Sequence, residues 1–237
     1  MLISEIYILL STAAAIAFIH TLIGPDHYLV FVALSKARNW TLRKTLKITT
    51  ICGVGHVLSS IVIGSIGIFF GAELMKLVHI EETRGNISGW LLLIFGSIYF
   101  IWGLKKIGRS QTHTHYHQHG DVYHSHEHSH QAEHMHPHPI KSNNNLTPWA
   151  LFIIFVLGPC EALIPLFMYP AAQNNNVMVL MVAIVFGLVT LMTMLLAVFL
   201  SMHGLKYLKI QFLEKYSHAF AGASIMLCAG AINFMNL

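Results

Sequence analysis

The chain reads as an all-α integral membrane protein: six transmembrane helices forming a 3+3 inverted repeat, with the first helix of each half broken. Composition points there first. The 237 residues are 55% hydrophobic and only 10% charged, with a mean hydropathy of +0.61, whereas soluble domains carry about 25% charged residues. Second, six apolar runs can be drawn, at 4–33, 48–70, 87–104, 148–170, 177–201 and 216–236, near the roughly 20 residues that cross a bilayer core. Third, Gly24-Pro25-Asp26-His27 and Gly158-Pro159-Cys160-Glu161 place the same Gly-Pro interruption near the start of each half. Paired interruptions of this kind mark repeated halves in membrane proteins that bind a ligand at mid-depth.

The first run is too long for one span. Pro25 lacks an amide donor and clashes with the preceding turn, so the run enters, bends and continues. The second run carries Cys52, Gly53, Gly55 and His56, and the third closes the first half. Between these two, residues 71–86, with Glu73, Lys76, Glu81, Glu82 and Arg84, read as a mixed outer loop. The fourth run holds the second break, the fifth has Gly187 where the second has its glycines, and the sixth ends the chain. The predicted organisation is a first half at 1–104, a His-rich linker at 105–147 and a second half at 148–237.

Twelve of the fourteen Lys and Arg residues fall in three of the five loops: 36–47, the linker, and the loop holding Lys206, Lys209 and Lys215. The positive-inside rule places those loops in the cytoplasm and both termini outside, in the inner (plasma) membrane of a bacterial cell. The formal charge of +4 is therefore topogenic and gives no reason to expect nucleic acid. Met1 to Phe18 lacks the basic start of a cleavable signal and carries Glu5 instead. No phosphate-cradling Gly-x-x-x-x-Gly-Lys-Ser/Thr loop is present, and no enzymatic activity is expected.

Ionisable residues inside apolar spans are costly and by default mark a site. His20 and His27 are seven apart, nearly two helical turns, and so share a face; Asp26 is adjacent, as a ligand or as an acceptor orienting an imidazole. His56 sits among glycines that permit close helix approach. Cys160 and Glu161 follow the second break. These six residues, His20, Asp26, His27, His56, Cys160 and Glu161, form the predicted metal-ligand set. His79, His203 and His218 read as surface or interfacial residues.

Residues 113–138 contain eleven of the seventeen histidines: His113, His115, His117, His119, His124, His126, His128, His130, His134, His136 and His138. So polar a tract is expected to lack structure of its own. Imidazole suits Zn, Cu, Ni and Co, so the linker reads as an accessory metal buffer or sensor.

The string from His20 to His27 (His-Thr-Leu-Ile-Gly-Pro-Asp-His) resembles the hallmark helix of the nickel/cobalt transporter superfamily, most closely its urease-accessory-like membrane branch. Gly55-His56 is similar to that superfamily's Gly-His-Ser helix, and Leu157 to Glu161 partly resembles its acidic segment. The resemblance implies a secondary transporter of a divalent cation, nickel or cobalt with zinc and copper as further candidates, efflux being favoured over uptake. The ion would be cargo, not a tightly bound cofactor, and a cytosolic metallochaperone would be its protein partner. Oligomeric state is left open.

Two other functions compete. One is a non-transporting membrane accessory protein that relays metal to a metalloenzyme. The other is a thiol-electron conduit, since the three-plus-three plan is also similar to that of the membrane thiol-electron carriers related to cytochrome c biogenesis. Those carriers need a redox cysteine in each half. Here the first break offers Asp26-His27, leaving Cys160 alone, which argues against electron transfer.

Overall fold

The computed structural model describes residues 3–70, 74–109, 113–119, 122–128, 146–158, 160, 162–207 and 211–235. Helix α1 (Ile3–Ile23) stops at the first Gly-Pro break. Gly24 is extended there, at φ −77° and ψ 97°, as sterics demand of a residue preceding proline. A single 3₁₀ turn, Pro25–His27, follows, and α2 (Leu29–Ala37) resumes the path. Asn39, in the left-handed region at φ 51°, turns the chain; asparagine tolerates that region better than most residues. Thr41 then caps α3 (Leu42–Phe69), its hydroxyl accepting the Lys44 amide at 3.3 Å.

Helix α4 (Leu74–Arg109) corrects the expected outer loop at 71–86. Glu81, Glu82 and Arg84 are helical, because Glu81 and Arg84 pair at i,i+3 and face protein. In the second half, α5 (Leu146–Leu157) ends at the second break, and α6 (Leu163–Ala172) follows it. Asn175 caps α7 (Asn176–Tyr207) through its side-chain oxygen, 3.1 Å from the Met178 nitrogen; α8 is Gln211–Met235. Among the described residues, five helices are long and apolar enough to span: α1, α3, α4, α7 and α8. The remaining expected span is divided into the short apolar helices α5 and α6. The protein is an integral membrane protein with a helical core.

Part of the linker departs from expectation. Strands β1 (His113–His119) and β2 (Val122–His128) pair antiparallel, with His113 opposite His128, His115 opposite His126 and His117 opposite His124. His130, His134, His136 and His138 lie outside the described residues, as do Pro159 and Glu161.

Each half thus runs helix, break, short helix, long helix, long helix. Packing is reciprocal: α1 lies on α7 and α5 lies on α3. The most extensive helix pair is α4 with α8, where backbones touch. A Cβ on Gly103 would stand 2.5 Å from the Ala219 nitrogen, and one on Gly222 would stand 2.4 Å from the Phe100 nitrogen. Small residues at such crossings permit the close approach that holds membrane helices together. Two buried apolar clusters flank the breaks. One includes Phe31, Leu34, Cys52, Leu151, Phe155 and Met194; the other includes Ala13, Ala17, Cys160, Leu163, Phe167 and Phe186. Exposed apolar stripes such as Ile94, Ile98 and Ile101 on α4, or Leu180, Ile184 and Leu188 on α7, face where lipid would be.

Candidate functional site

The first break turns three imidazoles toward one point. His20 comes from the last turn of α1, His27 from the 3₁₀ turn, and His56 from mid-α3. Ring centroids are 5.1 Å apart for His20 and His27 and 5.2 Å for His27 and His56. One nitrogen from each ring lies within 4.8 Å of the others. Among the described residues this is the only group of three or more His, Cys, Asp or Glu side chains so placed.

The hydrogen bonding separates the two edges of the rings. The Nδ1 of His27 lies 3.1 Å from the Gly24 carbonyl and 3.3 Å from the Asp26 carboxylate. The Nδ1 of His56 lies 3.3 Å from the Phe155 carbonyl. In both rings Nδ1–H donates, which leaves Nε2 with its lone pair. The Nε2 atoms of His20, His27 and His56 are all buried without a hydrogen-bond partner. Unpartnered buried polar atoms are unfavourable, and three of them in rings that each place a nitrogen within 4.8 Å of the others fit a cation. Metal-bound histidines characteristically donate their other nitrogen to a carbonyl or carboxylate. A tri-imidazole set suits zinc or copper.

The six predicted ligands therefore divide. His20, His27 and His56 are brought together. Asp26 lies at the far nitrogen of His27, where it orients the ring. Cys160 is fully buried in the second apolar cluster and has no place in the three-nitrogen group. Glu161 lies outside the described residues, and so do the side chains of the linker histidines. His203 and His218 stand apart: His203 turns its Nδ1 to the Phe199 carbonyl at 3.3 Å, and His218 meets Tyr99 and Lys106 at 3.0 and 2.9 Å. His79 is exposed beside Glu82.

A second polar centre, around the other break, was not legible as such. Glu81 is buried to 1% exposure and is ion-paired with Arg84. The Ser60 hydroxyl donates to Glu81 Oε2 at 3.2 Å, and the Cys160 amide donates to Ser60 Oγ at 3.1 Å and to Glu81 Oε2 at 3.2 Å. Arg84 Nη2 donates to Ser59 Oγ and the Val156 carbonyl, each at 2.8 Å, and to the Gly158 carbonyl at 3.3 Å. The available signal was the i,i+3 Glu-Arg spacing in a segment free of proline.

The family described as the transmembrane region of cytochrome C biogenesis proteins matches residues 27–231. No curated protein and no solved structure matches the chain. The family match spans all but the first 26 and last 6 residues. It overturns the resemblance to the nickel/cobalt transporter superfamily, which rested on an eight-residue string and two shorter ones. With that resemblance goes the reading as a metal-cation transporter, and nickel and cobalt lose the basis on which they were favoured. The thiol-electron carriers set aside on cysteine count are on the side where the match falls. Cys52, Cys160 and Cys228 are all buried, and Cys52 and Cys160 lie in different apolar clusters.

Proposed function

The chain belongs to the family of cytochrome C biogenesis transmembrane regions; from the geometry of its buried histidines, and not from that family, we propose a non-transporting membrane accessory protein built around a tri-histidine transition-metal site. Its task is to hold the ion in the membrane core and relay it to a metalloprotein partner. One observation carries the reading: three imidazoles each place a nitrogen within 4.8 Å of the others, and each keeps a buried Nε2 without a hydrogen-bond partner. His20, His27 and His56 are the ligands, with zinc or copper as the ion; a bound ion of this kind supplies a Lewis-acidic or one-electron centre. Asp26 and the Gly24 and Phe155 carbonyls hold the rings in the ligating tautomer. The paired halves act as a 3+3 inverted repeat, supported by their matching element order and reciprocal packing. The Lys- and Arg-rich loops and the His-rich linker face the cytoplasm on the positive-inside rule.

The test is the metal content of the purified full-length protein after exposure to Zn(II) or Cu(I). His27→Ala and His56→Ala should each lose one ion per chain relative to wild type. Equal metal content in wild type and both variants sinks the reading.

A second reading, thiol-disulfide electron transfer, is supported by the family match and by the place of Cys160 directly after the second break, its amide held by Ser60 and Glu81. Thiol trapping in cells decides it: a redox-active Cys160 cycles between reduced and oxidised forms, and Cys160→Ser abolishes function while metal content stays at the wild-type level.

A further inference from the structure

Helix α5 ends inside the protein; the Gly158 amide reaches back to the Ile154 and Phe155 carbonyls at 2.9 and 3.2 Å, and the last carbonyls of the helix have room for further donors. Side chains of neighbouring helices meet them. Ser88 Oγ donates to the Ile154 carbonyl at 3.1 Å, and His56 Nδ1 meets the Phe155 carbonyl at 3.3 Å. Arg84 takes the next positions, donating to Val156 and Gly158. Its positive charge stands at the negative end of the α5 dipole, and Glu81 balances that charge within the protein. The break is seated closely: a Cβ on Gly158 would lie 3.3 Å from His56 Nδ1.

We infer that Arg84, braced by Glu81, is a positioning residue for His56: it clasps the end of α5 so that the Phe155 carbonyl holds the His56 ring. The chain of contact is continuous. Glu81 orients Arg84; Arg84 fixes the carbonyls on either side of Leu157; the same helix end presents Phe155 O to His56 Nδ1; and Nε2 is left buried without a hydrogen-bond partner in a ring packed on His27. A planar guanidinium reaches two carbonyls and a hydroxyl at once, which a lysine ammonium cannot do with the same geometry. The second break thereby acts on the site of the first without contributing a side chain to it. The inference rests on the reading of the tri-histidine group as the working centre, although the ring orientation it concerns exists with or without an ion.

The experiment is nitrogen NMR of histidine-labelled full-length protein in bilayers, with the His56 signal assigned by its loss in His56→Gln. Removing one member of a buried pair strands the other, so the informative variants are Glu81→Met with Arg84→Met, and Arg84→Lys alone. Wild type should show His56 as a single tautomer protonated at Nδ1. The double variant should show a mixture, and Arg84→Lys an intermediate state. Zn(II) affinity should fall on the order of 10- to 100-fold in the double variant, as when a ligand-orienting partner is lost. An unchanged tautomer in both variants overturns the inference, even where wild type binds metal. A changed tautomer in a wild-type background that binds no Zn(II) keeps the inference and removes the metal reading. Should the double variant fail to insert, Arg84→Lys, which keeps the charge pair, decides alone.

Discussion

The two Gly-Pro breaks share a sequence pattern and perform different physical work. At the first, the chain leaves α1 in a 3₁₀ turn that delivers side chains: His27 into the cluster and Asp26 onto its far nitrogen. At the second, the contribution is backbone. The carbonyls from Ile154 to Gly158 receive Ser88, His56 and Arg84, and the Cys160 amide meets Ser60 and Glu81. One break supplies an imidazole and its carboxylate neighbour to the cluster, and the other supplies the carbonyl that holds His56. A repeated motif in two halves is therefore no warrant for assigning both copies the same chemistry.

The comparison can be broken hardest at the second break. Arg84→Ala leaves Glu81 charged and buried, a loss of about 3–5 kcal/mol, seen as a lowered melting temperature of the purified protein. Replacing both members with methionine should restore most of that stability. If the single and double variants melt alike, the pair has no structural weight. The next largest effect belongs to the first break. His27→Ala should abolish Zn(II) binding at the cluster with little change in melting, whereas His203→Ala should leave both unchanged; metal titration against melting curves separates the two.

Smaller effects sharpen the contrast. Gly24→Ala would put a Cβ 2.5 Å from His27 Nδ1, while Gly158→Ala would put one 3.3 Å from His56 Nδ1. The first substitution must displace the His27 ring, so Zn(II) affinity should fall more for Gly24→Ala than for Gly158→Ala; the reverse order would mean that the second break controls the cluster more tightly than the first. Asp26→Asn keeps an acceptor oxygen beside His27 and removes its charge, so a loss of roughly tenfold in affinity is expected. Cys160→Ser should be the mildest for metal, with affinity unchanged, because the thiol lies in the apolar cluster with Leu163 and Phe167.

Much of this architecture depends only on local chemistry and is legible in the residues. Apolar runs near span length imply membrane helices because a buried backbone must satisfy its own hydrogen bonds. Gly-Pro marks a break because proline has no amide to give. His20 and His27 meet as their spacing suggests, although across the break and not on one continuous helix. What lay beyond the sequence depends on partners distant along the chain. Glu81 and Arg84 look like loop charges until Ser60, the Val156 and Gly158 carbonyls and the Cys160 amide surround them. Asp26 and Cys160 look like ligands as plausibly as His56 does, and only the packing of α3 against α5 and the break decides which atoms converge. The resemblance drawn from His20 to His27 failed for a related reason: eight residues specify a bend and two imidazoles, whereas the family is carried by the helices from residue 27 to residue 231. That the second break seats the first follows only from packing, because a helix end buried in the membrane takes its partners from whichever helices lie beside it.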